Sequence, residues 1–290
     1  MEHKEPGGTK EHPSELSRLR VAFQGERGAY SEAAAMDFFG QGIEPVPCAS
    51  FDLVFQQVEE GACERGIVPI ENSLAGSIHR NYDLLLRHGL SIVGEVNLRI
   101  VHCLIAHPGV GLEAIRRVYS HPQALAQCEG YLDKLPGVER VPTYDTAGSV
   151  KLLKEQGLRD GAAIASRQAA RVYEMTVLAE GIEDEPENYT RFLILAKEGF
   201  MPQGESKTSI VFSVENVPGS LFKSLSVFAL RDIDLTKIES RPLRGKPWEY
   251  IFYLDFAGSM AEERCQNAIR HLQEIATFLR VLGSYPRARL

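Results

Sequence analysis

Nowhere in this 290-residue sequence does an apolar run approach the ~20 residues that a membrane-spanning helix requires. Cysteines are few and scattered: Cys48, Cys63, Cys103, Cys128 and Cys265 form no CxxC pair and share no ligand spacing with the eight histidines. That argues against a disulfide framework or a zinc site, and buried, inert thiols of a reducing compartment are expected. Basic residues are outnumbered, 32 Lys and Arg against 39 Asp and Glu, for a formal net charge of −7. A nucleic-acid binder normally gathers a basic surface, so that class is set aside. A small anionic substrate stays open, because helix N-termini and a few local groups suffice to hold one.

What is present is an ordinary globular composition, 44% hydrophobic and 24% charged, in a chain long enough for one large domain or two ordinary ones. Residues 1–18 mix Lys and Arg with Glu and are expected as a flexible tail. They lack the apolar core of a signal peptide and the acid-poor character of a transit peptide. A cytoplasmic location is expected, or the plastid stroma if the source is a plant and a transit peptide has been removed.

Strand and helix signals alternate from residue 19 onward. Leu19, Val21 and Phe23 mark a strand ending at Gly25, and Ser31 is placed to cap a helix running towards Phe39. Ser50 caps another, whose Phe51, Val54, Phe55 and Val58 form one apolar stripe. A buried strand is expected at 67–70, a helix at 77–88, strands at 92–96 and 100–106, and continuing alternation to Ala196. This predicts an α/β architecture with largely parallel sheets. Residues 199–206, aperiodic and rich in turn formers, read as a linker. Beyond it follow a strand at 208–214, a helix at 220–230, strands at 235–243 and 249–256, a helix at 261–279 and a strand at 281–285. That βαββαβ order is the ferredoxin-like pattern.

Polar segments stand at the edges of these elements. Gly25-Glu26-Arg27-Gly28-Ala29-Tyr30-Ser31 joins a strand to a helix N-terminus, where free N–H groups and the dipole suit a carboxylate. Its spacing is not GxGxxG, and a plain tight turn would use the same residues. Ile70-Glu71-Asn72-Ser73 stands at the carboxyl end of the 67–70 strand, where open α/β sheets bind ligands, although Glu71 would serve equally to cap a loop. Ser120-His121-Pro122-Gln123 opens a helix, with Pro122 suited to its first position. Gln123 and Gln127 lie four apart, opposite a stripe of Leu125, Cys128, Leu132 and Leu135, as a neutral pair for a carboxylate or as plain surface.

Asn188-Tyr189-Thr190-Arg191-Phe192 opens the apolar run 193–196, so Thr190 stands at a strand mouth. On an extended segment Arg191 should point opposite to Thr190 and support the site from behind. A threonine hydroxyl is a poor acid; it suits a hydrogen bond to a leaving hydroxyl, with Glu71 or a water relaying the proton.

With Glu239-Ser240-Arg241-Pro242 downstream, these motifs in this order resemble prephenate dehydratases and plant-type arogenate dehydratases, from about Leu19 to the C-terminus. The resemblance implies a two-lobed catalytic domain like the type 2 periplasmic binding proteins over residues 19–198. Lobe one would take about 19–97 plus 180–198, and lobe two about 99–179. A phenylalanine-binding ACT domain would follow at 207–287. The implied reaction removes water and carbon dioxide together from a cyclohexadiene, prephenate to phenylpyruvate or arogenate to phenylalanine, without a metal or organic cofactor.

By the same resemblance, catalytic roles fall on Thr190, Glu71, Asn72 and Gln127. Substrate contacts fall on Gly28, Ala29, Tyr30, Ser31, Ser120, Gln123, Arg191 and Phe192. An allosteric phenylalanine site falls on Asn216, Pro218, Gly219, Ser220 and Leu221, enclosed by Glu239, Ser240, Arg241 and Pro242. The usual family form there is Gly-Ala-Leu, and this chain has Gly219-Ser220-Leu221. A homodimer, or a tetramer built from two, is implied as well. Residues 81–88 and 228–231 look plant-type while the short N-terminus looks bacterial, so prephenate against arogenate stays open. The alternative function is a non-catalytic aromatic amino-acid or keto-acid sensor using the same cleft.

Overall fold

The computed structural model describes residues 18–243 and 245–289, so nearly all of the expected tail lies outside the described residues. The first lobe runs through β1 (Arg20–Gln24), α1 (Tyr30–Phe39), β2 (Glu44–Cys48), α2 (Phe51–Glu59), β3 (Arg65–Asn72), β4 (Gly76–Ser77), α3 (His79–Arg87) and β5 (Ser91–Arg99). The chain then crosses to a second lobe. This comprises β6 (Cys103–Ala106), β7 (Arg117–Ser120), α4 (Pro122–Gln127), α5 (Glu129–Leu132), β8 (Glu139–Pro142), α6 (Thr146–Gln156), β9 (Gly161–Ala165), α7 (Arg167–Val172) and β10 (Thr176–Glu180). It returns as β11 (Tyr189–Ala196), which inserts between β3 and β5 to give the order β2-β1-β3-β11-β5. The second sheet has the order β10-β6-β9-β7-β8. Two α/β lobes joined by two crossings form the periplasmic-binding-protein-like fold.

The sheets are mixed, not largely parallel as expected. β1 runs parallel to β2 and β3, and β7 to β8 and β9, but β11 is antiparallel to both its neighbours and β6 to both of its own. Alternating strand and helix signals imply parallel pairing only where a helix crosses over within one sheet. The strands next to the crossings arrive from the other lobe and run the other way. Local boundaries differ too. Ala29 occupies the N-cap of α1, leaving Ser31 within the first turn, and β3 extends far enough to include Glu71 and Asn72.

The C-terminal unit consists of β12 (Ser206–Val214), α8 (Ser220–Ala229), β13 (Leu235–Pro242), β14 (Tyr250–Ala257), α9 (Glu263–Ile275) and β15 (Ala276–Pro286). Its antiparallel sheet has the order β13-β14-β12-β15, the ferredoxin-like arrangement. The helix expected to reach residue 279 stops at Ile275, because from Ala276 onward the chain pairs with β12 along nearly its whole length. Phe212, Phe228 and Phe256 fill the core between this sheet and its helices. The opposite face carries Val211, Ile251, Tyr253, Leu282 and Tyr285 onto the first lobe, against Tyr82, Leu85 and Leu193. Each such fully buried side chain contributes roughly 1.5–3 kcal/mol, so the C-terminal unit is firmly seated on that lobe. All five cysteines are buried and unpaired. Among the described residues no helix is long and apolar enough to cross a membrane.

Candidate active site

The carboxyl end of β3 and the mouth of β11 are directly paired, Asn72 opposite Thr190 and Glu71 opposite Arg191. A register shift follows between Arg191 and Phe192. The bulge lets Pro69 and Asn72 face the same side as Thr190 and Phe192, while Ile70 and Glu71 face away. Those four residues form one wall of an interlobe cleft of about 450 Å³.

Asn72 is held rigidly there. Its Oδ1 accepts from the backbone N–H groups of Leu74 (3.1 Å) and Ala75 (2.9 Å), which fixes the amide orientation. Its Nδ2 then reaches Asn188 Oδ1 at 2.7 Å and Thr190 Oγ1 at 3.0 Å. Because Thr190 Oγ1 accepts from Asn72, its own hydrogen stays available to a group in the cleft.

The second lobe supplies the facing wall, with His121, Gln123 and Gln127 presented by α4 and its N-cap. Behind Gln127 stands His102, a residue that sequence reasoning passed over as one more position in an apolar strand. Its Nε2 lies 2.9 Å from Gln127 Oε1, and its Nδ1 lies 2.8 Å from the Tyr30 hydroxyl. Gln127 Oε1 can only accept, so Nε2 carries the ring proton and Nδ1 is an acceptor facing the Tyr30 hydroxyl, which also lies 2.9 Å from the Val101 carbonyl. Burial pushes the His102 pKa down, against the opposing pull of Gln127 and Glu183, and keeps the ring neutral. This chain fixes Gln127 with its amide N–H groups free to face the cleft.

The start of α1 completes the cleft through Ala29, Tyr30 and Ser31. Gly28 does not touch the cavity. It adopts φ +86°, and a Cβ there would strike the Ala169 backbone at 2.5 Å, while Ser166 Oγ donates to its carbonyl at 2.6 Å. Only glycine allows this loop to seat so closely on the second lobe. Asp145 also lines the cavity, as the N-cap of α6, with Gly148 N–H donating to its Oδ1 at 3.0 Å. Its signature, an acidic residue just before a helix, reads from sequence as a cap and nothing more.

Besides Gly28, three expected site residues lie elsewhere. Glu71 faces away from the cleft and pairs with Lys237 of β13 at 2.9 Å, so it cannot relay a proton to Thr190. Arg191 is directed to the C-terminal unit, 2.7 Å from both Glu95 and Asp255 and 3.0 Å from the Tyr285 hydroxyl. A direct substrate contact by Arg191 is therefore excluded, and the alternation of an extended strand is the cause. Ser120 is fully buried and donates to the Ile164 carbonyl at 2.6 Å, tying β7 to β9. A larger cavity, about 960 Å³, lies on the Glu71 and Arg191 side between the first lobe and the C-terminal unit. The hydroxyl and amides suited to assist a leaving group converge in the smaller one.

The prephenate dehydratase family model matches residues 21–199, the whole two-lobed region. The chain belongs to the prephenate dehydratase family. It is 56% identical over 287 residues to "arogenate dehydratase/prephenate dehydratase 2, chloroplastic" of Arabidopsis thaliana, covering 95% of this chain and 75% of the relative. The prephenate dehydratase of Arthrobacter aurescens, crystallised with L-Phe, is 34% identical and superposes with a TM-score of 0.86, covering 93% of this chain and 90% of that one. A protein described as a quorum-quenching acylase of a novel type is also 34% identical, with a TM-score of 0.85 and coverage of 92% and 97%. The match to the Arabidopsis relative extends beyond the family model through the C-terminal unit. The protein is thus a dehydratase, a carbon–oxygen lyase.

The nine residues assigned by resemblance to phenylalanine do not form one pocket within the single chain. Asn216, Gly219, Ser220 and Leu221 line a cavity of about 280 Å³ at the start of α8, and Pro218 lies in the same loop. Across the sheet, Ser240 and Pro242 pair with Phe252 and Tyr250, which also line it. Glu239 and Arg241 alternate to the other face, where Glu239 accepts from Ser77 Oγ at 2.5 Å and Arg241 lies 3.6 Å from Asp83.

Proposed function

We propose that this dehydratase acts on arogenate, prephenate or both in the cleft between its lobes, making the ring of phenylalanine or of phenylpyruvate. The observation that carries the reading is the Asn72–Thr190 hydrogen bond, which leaves a directed O–H donor in a walled cleft. The ring carboxylate departs as carbon dioxide, and its bonding pair moves through the diene to break the opposite C–O bond. The leaving hydroxide takes one proton and departs as water, and the ring becomes aromatic. Thr190 stabilises the charge developing on that oxygen, while Gln127, Gln123 and the first turn of α1 hold the substrate. The proton itself arrives by way of water.

A sensor would need no O–H donor beside the leaving group, which favours the enzyme over a binding-only protein. Parallel kinetics of the purified chain on both substrates test the proposal, with Thr190→Ala as the control. Turnover of neither by the wild-type chain would overturn it. The C-terminal unit acts in this reading as an ACT domain that binds L-phenylalanine as the pathway effector. Its exposed Val217, Phe222 and Leu230 would pair with a second copy in a homodimer or tetramer. Of the two compartments expected, the chloroplast location in the Arabidopsis relative's name supports the plastid.

A further inference from the structure

Arogenate and prephenate are identical at the reacting ring and differ in the side chain, which ends in an α-amino acid in one and an α-keto acid in the other. At neutral pH the first carries an ammonium and a net charge of −1, and the second carries no cation and a net charge of −2. A protein tells them apart where its groups meet that end of the molecule, and a charged group there discriminates most strongly. Among the described residues lining the cleft there is no Lys or Arg. Two histidines also line it. His102 is held neutral, and His121 Nδ1 accepts from the Gln123 N–H at 3.2 Å. The acidic side chain lining the cavity is Asp145.

We infer that Asp145 determines specificity in this cleft, accepting the α-ammonium of the amino-acid substrate and disfavouring the keto acid. This rests on the dehydratase reading above. Asp145 is 8% exposed, yet its oxygens are not saturated. Oδ1 accepts from Gly148 N–H at 3.0 Å, and Oδ2 makes a long contact of 3.4 Å with Glu26 N–H. A carboxylate offers about four acceptor positions, so room remains for a cation. Burial pushes its pKa up against the lowering effect of the Gly148, Glu26 and Ala147 amides. An ammonium partner would relieve that cost, and a second carboxylate would deepen it. Glu26, beside Asp145, is neutralised by Lys151 at 3.0 Å, so the local cation is already engaged. The position suits a whole α-amino acid, because Asp145 Oδ2 and Ala29 crowd the same point beside Gly25. An ammonium on Asp145 would therefore set the neighbouring carboxylate near the free N–H groups that open α1.

The test is steady-state kinetics on both substrates with the full chain, for wild type, Asp145→Asn and Asp145→Ser. Asparagine and serine cap helices about as well as aspartate, so both variants remove charge without removing the cap. For the wild type, kcat/KM should favour arogenate by at least tenfold. In either variant it should fall for arogenate, mainly through KM, and rise for prephenate, so that the ratio drops about tenfold or more. A residue that only caps α6 would lower both substrates together. An unchanged ratio in a folded variant, or a wild type that prefers prephenate, overturns the assignment and leaves the dehydratase reading intact. Turnover of neither substrate by wild type overturns both.

Discussion

Thr190 and Arg191 are neighbours on β11 that face opposite sides of one sheet, the hydroxyl into the interlobe cleft and the guanidinium into the C-terminal unit. Their partners on β3 follow the same division, with Asn72 beside Thr190 and Glu71 on the side of Arg191. Two adjacent residues of one strand thus touch the interlobe cleft and the C-terminal unit. A displacement of the C-terminal sheet that moved Arg191 would act on Thr190 through a single peptide unit.

Loss of the Thr190 hydroxyl should slow chemistry far more than it weakens binding. Thr190→Ala is expected to lower kcat by about 10²-fold or more, with a small change in KM, and Thr190→Ser should recover part of the rate. Asn72→Ala should behave similarly, since it frees Thr190 to turn its hydrogen elsewhere. Alanine at 190 with near-normal kcat would remove this hydroxyl from the mechanism.

Much of this was legible in sequence, for identifiable reasons. Apolar periodicity located most elements, and the strand-mouth position of Thr190 and the clustering of Gln123 and Gln127 led to the cleft. Glu71 was misplaced because two extra residues of strand and a bulge decide its side, and neither leaves a compositional mark. Ser120 was assigned to the substrate by resemblance, whereas its hydroxyl is buried and ties two strands together, a pairing that no local pattern discloses. His102 and Asp145 went unnoticed because each has an adequate local explanation, a strand position and a helix cap. Their chemistry arises only when the second lobe is folded against Tyr30 and Gly25.

Arg191 sits in a buried set of two cations and two anions, with Lys207 on Glu95 at 2.8 Å and Ser209 Oγ donating to Asp255 at 2.5 Å. Burial opposes its charge, and Asp255, Tyr285 and Glu95 more than offset that opposition, so it remains ionised. Arg191→Ala would leave Glu95 and Asp255 short of a partner, at a cost of roughly 3–5 kcal/mol. Arg191→Lys should recover little, because one ammonium cannot fork to both carboxylates and the Tyr285 hydroxyl. Denaturant unfolding measures this directly, and a loss below about 1 kcal/mol would place Arg191 with ordinary surface pairs.

Acid should weaken the protein partly through His102. Its folded-state pKa is lowered, chiefly by burial, while the unfolded ring titrates near 6.5. Below that value the unfolded chain takes up a proton that the folded chain does not. The stability contributed by the neutral ring is therefore complete above about pH 6.5 and is lost as pH falls towards the folded pKa. His102→Gln keeps an amide donor towards Gln127 but does not titrate. The stability gap between wild type and His102→Gln should consequently shift against wild type between pH 7.5 and 5.5. Glu183, whose carboxylate accepts from the His102 backbone N–H at 2.9 Å, is present in both proteins and cancels in the comparison. A gap independent of pH would mean that the ring titrates normally.

If the α8 cavity receives phenylalanine, filling it should abolish binding without unfolding the chain. Gly219 adopts φ +84° at the N-cap of α8, and a Cβ there would meet nothing within 4 Å. A bulky side chain therefore fits sterically but occupies the space that a ligand would use. The left-handed backbone adds a cost of about 1–2 kcal/mol, small beside the burial that seats this unit. Calorimetric titration of L-phenylalanine into wild type and Gly219→Trp separates the possibilities. Binding by wild type, none by the variant, and wild-type-like thermal unfolding of the variant's catalytic lobes are the expected results. Turnover of the variant should then no longer respond to phenylalanine, because an effector acts only through its differential affinity for two states of the protein. Equal binding by both proteins would move any phenylalanine site to the interlobe cleft, where the amino acid would act as product, not as regulator.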